Sequence, residues 1–261
     1  MPPPLSSRSS DKRDLWQFGA LALLFGGVFY LVGPLVGSLS AITRANVPGA
    51  ALMFICPAIA AIIVAHHRGT LKDLASRLHW PRWSWWWLPA IAVMPLVIAL
   101  SSLSTGFGAF QFTNWLSPIA LGAVYLVSAF GEEVGWTGFA LPRLLHFFGE
   151  LPSALLLGLF WGLWHVIPFW EAGNSAWWIV GQCCFSIVFR VVMVRLTTLT
   201  GGTIWPAVVI HAAYNLSWSF SRDAGSHYIP WVAAAFTFAA AALLYLERAS
   251  QRRRPRSATQ R

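Results

Sequence analysis

Charged residues are scarce in this sequence. They make up 10% of its 261 residues, whereas hydrophobic residues make up 57%. A soluble globular domain contains roughly 25% charged residues. A soluble fold of this length could not bury so much apolar surface, so lipid is the expected solvent. The scarcity of charge therefore excludes an ordinary soluble domain, and the 16 Trp and 18 Phe suit membrane interfaces.

Acidic residues are especially few: nine Asp and Glu stand against 18 Lys and Arg, which gives a net charge of +9. In a soluble protein this excess would suggest nucleic acid as a partner. Here no basic stripe with a nucleic-acid-reading module is present, so we predict no nucleic-acid partner. The basic residues instead lie in predicted loops and tails, where they contact the lipid bilayer and set the orientation of the chain.

Several common site types are also missing. The three cysteines, Cys56, Cys183 and Cys184, all lie in apolar stretches and are interpreted as packing residues, not as disulfides or a metal cluster. The sequence contains no G-x-S-x-G nucleophile elbow and no H-E-x-x-H zinc-binding helix. Any hydrolytic site must therefore be built in another way.

Long apolar stretches separated by short polar gaps predict an all-α fold, a polytopic membrane helix bundle of about eight transmembrane helices. Each stretch is close to the ~20 residues that a bilayer requires. The first is too long for a signal-peptide core and is predicted to be retained. The predicted spans are 15–37, 47–65, 85–104, 116–137, 151–169, 175–195, 203–220 and 228–247. They form one transmembrane domain, 15–247, between a disordered arm, 1–14, and a basic tail, 248–261.

The positions of the basic residues predict the orientation. With these spans, 16 of the 18 Lys and Arg residues fall on the side of the two termini, and only Arg44 and Arg222 fall on the other. The positive-inside rule therefore makes the arm and the tail cytoplasmic.

Two adjacent carboxylates, Glu132 and Glu133, lie in the fourth predicted span. An acidic residue at the centre of a membrane helix costs about 2.5–3.5 kcal/mol on insertion scales and usually faces the bundle interior or a water-filled cavity. The alternative is a position near the cytoplasmic end of the span, within reach of interfacial water. Adjacent helical residues point about 100° apart, so the two carboxylates should face different neighbours, with Thr137 on the same face as Glu133.

Three further polar residues lie in later spans. His211 and Asn215 are four residues apart and project to the same side of a helix, and His165 lies in the fifth span. Each alone is compatible with hydrogen bonding between packed helices. Together with Glu132 they form a chemical set, because Glu can activate water, His can share that task or hold a metal, and a His–Asn pair can donate to an oxyanion. The set predicts a water-activating hydrolase.

Glycines four residues apart accompany these positions: Gly131 with Gly135, and Gly158 with Gly162. Small residues at this spacing let membrane helices approach closely. We therefore expect the fourth and fifth spans to contact neighbouring helices at short range.

The segments 132–137, 161–165 and 211–215, in this order, resemble the motifs of a known family. It is the CAAX prenyl endopeptidase and bacteriocin-processing family of intramembrane proteases, also called the abortive-infection family, which includes the Ras-converting enzyme. Its motifs are Glu-Glu-x-x-x-Arg, Phe-x-x-x-His and His-x-x-x-Asn, on an eight-span bundle. The resemblance covers roughly residues 116–220, and its flanking residues are like those of the bacterial branch.

The resemblance implies an intramembrane endopeptidase of a bacterial inner membrane. Its substrate would be a CAAX-type prenylated peptide or a bacteriocin-like or signal-like peptide, entering from the membrane or its cytoplasmic face. A divalent metal such as zinc, held by Glu132, His165 and His211, and a metal-free, glutamate-activated water both stay open. The implied roles are water activation for Glu132 and His165, oxyanion stabilisation for His211 and Asn215, and support for Glu133 and Trp161.

Two residues depart from the family pattern: Trp161 stands in place of Phe, and Thr137 in place of Arg. Without that Arg, Glu133 needs another partner, and we predict that Arg143 or Arg190 approaches it. The Thr137 departure also supports an alternative, a non-catalytic membrane immunity or scaffold protein that retains the bundle. A transporter is a third hypothesis, but the sequence shows neither a repeated half nor matched broken helices.

Overall fold

The computed structural model describes residues 8–43, 47–81, 83–106, 108, 110–111, 116–225 and 227–253. Within these ranges the chain is helical, and the only β pairing is an isolated bridge between Ser38 and Pro48. The α-helices are α1 Arg8–Val36, α2 Ser40–Thr43, α3 Cys56–His67, α4 Leu71–Ser76, α5 Trp87–Ser104, α6 Leu116–Glu133, α7 Leu141–Phe147, α8 Glu150–Trp164, α9 Val166–Glu171, α10 Ala176–Leu199, α11 Trp205–Phe220 and α12 Pro230–Arg253. A 3₁₀-helix, Gly49–Ile55, leads into α3, a π-helix, Val134–Ala140, joins α6 to α7, and a short 3₁₀-helix, Arg222–Gly225, follows α11.

Helical segments occupy all eight predicted spans. Five of them are long and apolar enough to cross a membrane, and two further apolar helices are shorter. The prediction of an all-α polytopic bundle is confirmed, and the chain is an integral membrane protein. The five are Ser9–Val36, Gly49–His67, Trp87–Ser104, Leu116–Phe147 and Ala176–Leu199, and the shorter two are Glu150–Trp164 and Pro230–Leu246.

The start of the chain differs from the prediction of a disordered arm over 1–14. Residues 8–14 form the first turns of α1. Asp11 and Asp14 are both buried there and pair with basic side chains of neighbouring segments. These ion pairs give the polar segment a reason to be ordered that its composition does not reveal. Residues 1–7 lie outside the described part of the chain.

The end of the chain shows a similar difference. Helix α12 continues to Arg253, so residues 248–253 extend the last helix and do not belong to a separate tail. The remainder of the predicted tail, 254–261, lies outside the described residues.

The helices alternate in direction, which gives the bundle two ends. At the end that carries the start of α1, Arg68 Nε lies 2.7 Å from Asp14 Oδ1, and the Ile204 amide donates to the Arg77 carbonyl. We call this the terminal end. At the opposite or distal end, α2 meets α6 and the end of α11, where the Tyr125 hydroxyl donates to the Thr43 carbonyl and also lies within hydrogen-bond distance of the Ser219 hydroxyl.

Helix α10 lies at the centre of the bundle. It packs against α8, α11 and α12 and is the most buried of the five candidate spans. Helix α11 in turn contacts α5, α6 and α10. This arrangement brings the polar residues of α6, α8, α10 and α11 to one interior region.

Candidate active site

The two glutamates are the last residues of α6, directly before the π-helix. Gly135, in the π-helix, lies so close to α3 that an added Cβ would be 2.5 Å from the Pro57 carbonyl oxygen. This contact confirms the predicted close approach of the fourth span to a neighbour. Sequence reasoning missed the π-helix itself, a local widening that is frequent at functional sites.

Glu133 is completely buried and has three partners. Arg190 Nη1 of α10 lies 2.7 Å from its Oε2, and His211 Nδ1 of α11 lies 3.1 Å from its Oε1. The Thr137 hydroxyl, one turn along, also donates to Oε2. The prediction that Arg143 or Arg190 approaches Glu133 is therefore confirmed, and Arg190 is the partner.

Arg143 lies elsewhere, at the terminal end, where its Nη2 is 3.4 Å from Asp14 Oδ2. Arg190 also corrects the charge count used for the orientation. It is fully buried inside the bundle and is not a flanking charge. The excess of basic residues on the side of the two termini persists without Arg190, because only Arg44 and Arg222 fall between predicted spans on the other side.

Glu132 is also buried, with 6% of its surface exposed, so both glutamates face the interior of the bundle. The Trp161 indole N–H of α8 donates to Glu132 Oε2 at 2.7 Å. The other carboxylate oxygen, Oε1, lies 3.9 Å from His165 Nε2. The two adjacent carboxylates thus face different neighbours, as predicted from helix geometry.

His165 directly follows α8, and its ring is oriented by a hydrogen bond. Its Nδ1 lies 2.8 Å from the Trp161 carbonyl oxygen. Because a carbonyl oxygen only accepts, Nδ1 carries the proton, and Nε2 of the neutral ring presents a lone pair. Nε2 is the ring atom that faces Glu132.

Trp161 lies between the two carboxylate clusters. Its ring meets those of His165 and His211 edge to face, with 5.2 Å between centroids in each pair. The Arg190 guanidinium lies over the same indole, 4.3 Å from the ring centre. In place of the Phe that the family motif has, this Trp adds an N–H donor while retaining an aromatic packing surface.

A cavity of about 980 Å³ adjoins these residues. Glu132, Trp161, His165, His211 and Asn215 all line it. The structure therefore brings the predicted catalytic residues to one cavity, although they come from three separate helices. Glu133 lies behind this wall, in contact with His211.

Two cavity residues were missed by the sequence reasoning. The Gln182 amide of α10 donates to the Tyr214 hydroxyl of α11 at 2.9 Å, and both line the cavity. The signal was available, since Gln182 is a polar residue within an apolar span.

The described residues contain no group of three or more His, Cys, Asp or Glu side chains placed to hold a metal ion. The set considered above for a bound metal, Glu132, His165 and His211, is thus not arranged as such a group. His211 directs Nδ1 towards Glu133, and Glu132 accepts from Trp161. These residues do not fit a metal centre in this arrangement.

Comparison with known proteins gives two matches. Residues 113–217 match the family described as "Type II CAAX prenyl endopeptidase Rce1-like". A curated relative, "CAAX prenyl protease 2" of Methanococcus maripaludis, is 28% identical over 173 residues, which cover 59% of this chain and 63% of the relative. The chain thus spans less than two thirds of that relative. Both matches confirm the family resemblance predicted from the motifs.

Proposed function

We propose that the protein is an intramembrane endopeptidase, because residues 113–217 match the Rce1-like CAAX prenyl endopeptidase family. It hydrolyses a peptide bond with a water molecule activated by Glu132 and His165. The substrate is a peptide or lipidated peptide, of either the CAAX-type prenylated class or the bacteriocin-like or signal-like class.

The geometry between Glu132 and His165 carries this proposal. Glu132 Oε1 and His165 Nε2 are both hydrogen-bond acceptors. They lie 3.9 Å apart, and both residues line the cavity. They cannot hydrogen-bond to each other directly without an added proton. A water molecule between them donates to both, and polar contacts of this length are commonly bridged in that way. Such a water is polarised by two bases at once.

His211 and Asn215 supply the second half of the chemistry. They lie one turn apart on α11 and line the same cavity. Glu133, which is paired with the permanently charged Arg190, accepts from His211 Nδ1 and fixes the orientation of that ring. The Asn215 amide, together with the His211 ring when both of its nitrogens carry protons, then donates to the oxygen of a carbonyl under attack.

The reaction follows from these positions. Glu132 and His165 accept a proton from the water as its oxygen adds to the peptide carbonyl carbon. The resulting oxyanion is held by His211 and Asn215. When the C–N bond breaks, the accepted proton is delivered to the leaving nitrogen, and the products are a carboxylic acid, which retains the second proton of the water, and an amine. No step requires a metal ion.

The non-catalytic alternative loses its main support. It rested on Thr137, which leaves Glu133 without the arginine of the family motif. Arg190 supplies that positive charge from α10, and Thr137 adds a hydrogen bond. The departure at Thr137 is therefore compensated.

A cleavage assay tests the proposal. Wild type and Glu132→Gln, purified in detergent, are incubated with a pool of prenylated and plain peptides, and products are identified by mass spectrometry. We expect cleavage by the wild type and a loss of at least 100-fold in Glu132→Gln, since removing a catalytic base typically costs about 10²–10⁴ in rate. Chelator should leave the wild-type rate unchanged.

Glu171→Gln is the matched control, because it makes the same chemical change on α9 at a residue that does not line the cavity. It should cleave like the wild type. Equal cleavage by Glu132→Gln and the wild type would refute the assignment of Glu132. Loss of activity with chelator, restored by zinc, would refute the metal-free chemistry.

A further inference from the structure

The cavity occupies only the distal half of the bundle. Its deepest residues are the glutamate and histidines of the candidate site, and from there it extends past Tyr125 and Gln182 to the distal end. At that end it reaches two exposed residues from separate segments, Ser38 after α1 and Asp223 in the short 3₁₀-helix after α11. The candidate site is thus connected to the distal surface.

The terminal half is closed beneath the site. Arg190 and Glu133 are completely buried directly behind the cavity wall. Below them, the π-helix packs at Gly138 against Leu74 and Ile204, both of which are buried. No lining residue of the cavity comes from the described segments of the terminal end.

The distribution of basic residues predicts which side of the membrane each end of the bundle faces. The start of α1 and the segment after α3, both at the terminal end, contain several basic residues, whereas in the sequence only Arg44 and Arg222 fall between predicted spans on the other side. The positive-inside rule places the terminal end in the cytoplasm. The cavity therefore opens away from the cytoplasm, which differs from the cytoplasmic entry that was one of the two routes expected above.

We infer that the cavity takes its substrate from the non-cytoplasmic face: a peptide segment that has been exported, or the external end of a membrane-anchored peptide. The inference rests on the proposed peptidase function and specifies its substrate class. A peptide confined to the cytoplasm cannot reach Glu132 without crossing the closed half of the bundle.

The rim of the cavity suits a substrate with an apolar portion. Ile42, Leu52 and Val124 all line the cavity and are 60%, 37% and 42% exposed. They belong to three neighbouring elements, α2, the first 3₁₀-helix and α6. An apolar or lipidated flank of the peptide can lie on these side chains while the peptide bond reaches the polar floor.

Cysteine accessibility tests the entrance directly. Three single-cysteine variants are made in a background with Cys56, Cys183 and Cys184 replaced by Ala: Ser40→Cys at the distal rim, Ser128→Cys on the cavity wall one turn from Glu132, and Ser76→Cys at the terminal end. Ser40 and Ser76 are both exposed and form the matched pair. Intact cells are treated with a membrane-impermeant maleimide before and after permeabilisation.

We expect Ser40→Cys and Ser128→Cys to be labelled in intact cells, and Ser76→Cys only after permeabilisation. Labelling of Ser40→Cys only after permeabilisation would overturn the assigned orientation and return the substrate to the cytoplasm. If Ser40→Cys reacts in intact cells but Ser128→Cys does not, the distal entrance does not lead to the candidate site, and the inference is wrong.

The same labelling is carried out with Glu132→Gln in each variant. Because labelling reports access and not turnover, it decides the entrance whether or not the protein cleaves a given peptide. Failure of the cleavage assay and failure of the labelling experiment are therefore separate results.

Discussion

Glu133 shows how a single buried charge is balanced. The carboxylate and its partner Arg190 are both fully buried, so neither is compensated by water. Removing one member of a buried pair costs about 3–5 kcal/mol, because the other charge is left uncompensated, whereas replacing both can be nearly neutral. The stability of this site should therefore depend on the pair and not on either residue alone.

A double-mutant cycle measures this dependence. Arg190→Met should lower the unfolding free energy by about 3–5 kcal/mol, and Glu133→Gln combined with Arg190→Met should recover most of it. The measurement is the temperature at which the protein in detergent ceases to be monodisperse. If the double variant is no more stable than Arg190→Met, the two residues are not coupled, and Arg190 contributes by packing alone.

At the scale of helices, two glycines let neighbouring helices approach each other closely, because glycine has no side chain. Gly135 abuts Pro57 of α3, and Gly158 of α8 abuts the backbone of Ile187 in α10. The first contact lies in the π-helix that continues α6 and the second lies in α8, and both α6 and α8 carry site residues. On α6 itself, Gly122 has only the flexible end of Leu216 near the position of a Cβ, at 3.8 Å.

These two glycines of one segment should respond to alanine in opposite ways. Gly135→Ala places a methyl group against the α3 backbone and should cost at least 1–3 kcal/mol, the range for overpacking. Gly122→Ala should be neutral or stabilise by up to about 1 kcal/mol, because Ala favours helix. Thermal stability in detergent measures both, and equal stability of the two variants would contradict the close packing of α6 on α3.

At the scale of the whole molecule, α1 is attached largely through its polar start. It is the least buried of the five candidate spans. At the terminal end, however, Asp14 accepts from Arg68 and Arg143, and Asp11 accepts from His146 at 2.7 Å. This ionic cluster connects α1 to the end of α3 and to α7.

Asp14→Asn should therefore loosen α1 selectively. A hydrogen bond to a charged group contributes about 1.5–3 kcal/mol, so we expect a loss of roughly 2 kcal/mol in the attachment of α1. Hydrogen–deuterium exchange should rise in α1 and stay unchanged in α10. Asp73→Asn, on the exposed face of α4, is the control and should leave both helices unchanged. Faster exchange throughout the bundle would show that the cluster supports the whole fold.

The sequence by itself determined that this protein lies in a lipid bilayer, that it is helical, and which residue types form its candidate site. Scarce charge and ~20-residue apolar stretches require membrane helices, because backbone polar groups in lipid must be satisfied within the segment. Helical spacing likewise places His211 and Asn215 on one face and separates Glu132 from Glu133, since these directions are local properties of a helix. The family motifs could be recognised from the sequence because each one is a short run of residues within a single predicted helix.

Only the tertiary structure decided which side chains meet across helices. Arg190 is 57 residues from Glu133, and its choice over Arg143 depends on where the packing of α10 against α8 and α11 places it relative to the end of α6. The facing acceptors of Glu132 and His165, and the side on which the cavity opens, likewise depend on helix packing. No local pattern contains these contacts, because they join residues that are distant in the chain and are brought together only by packing between helices.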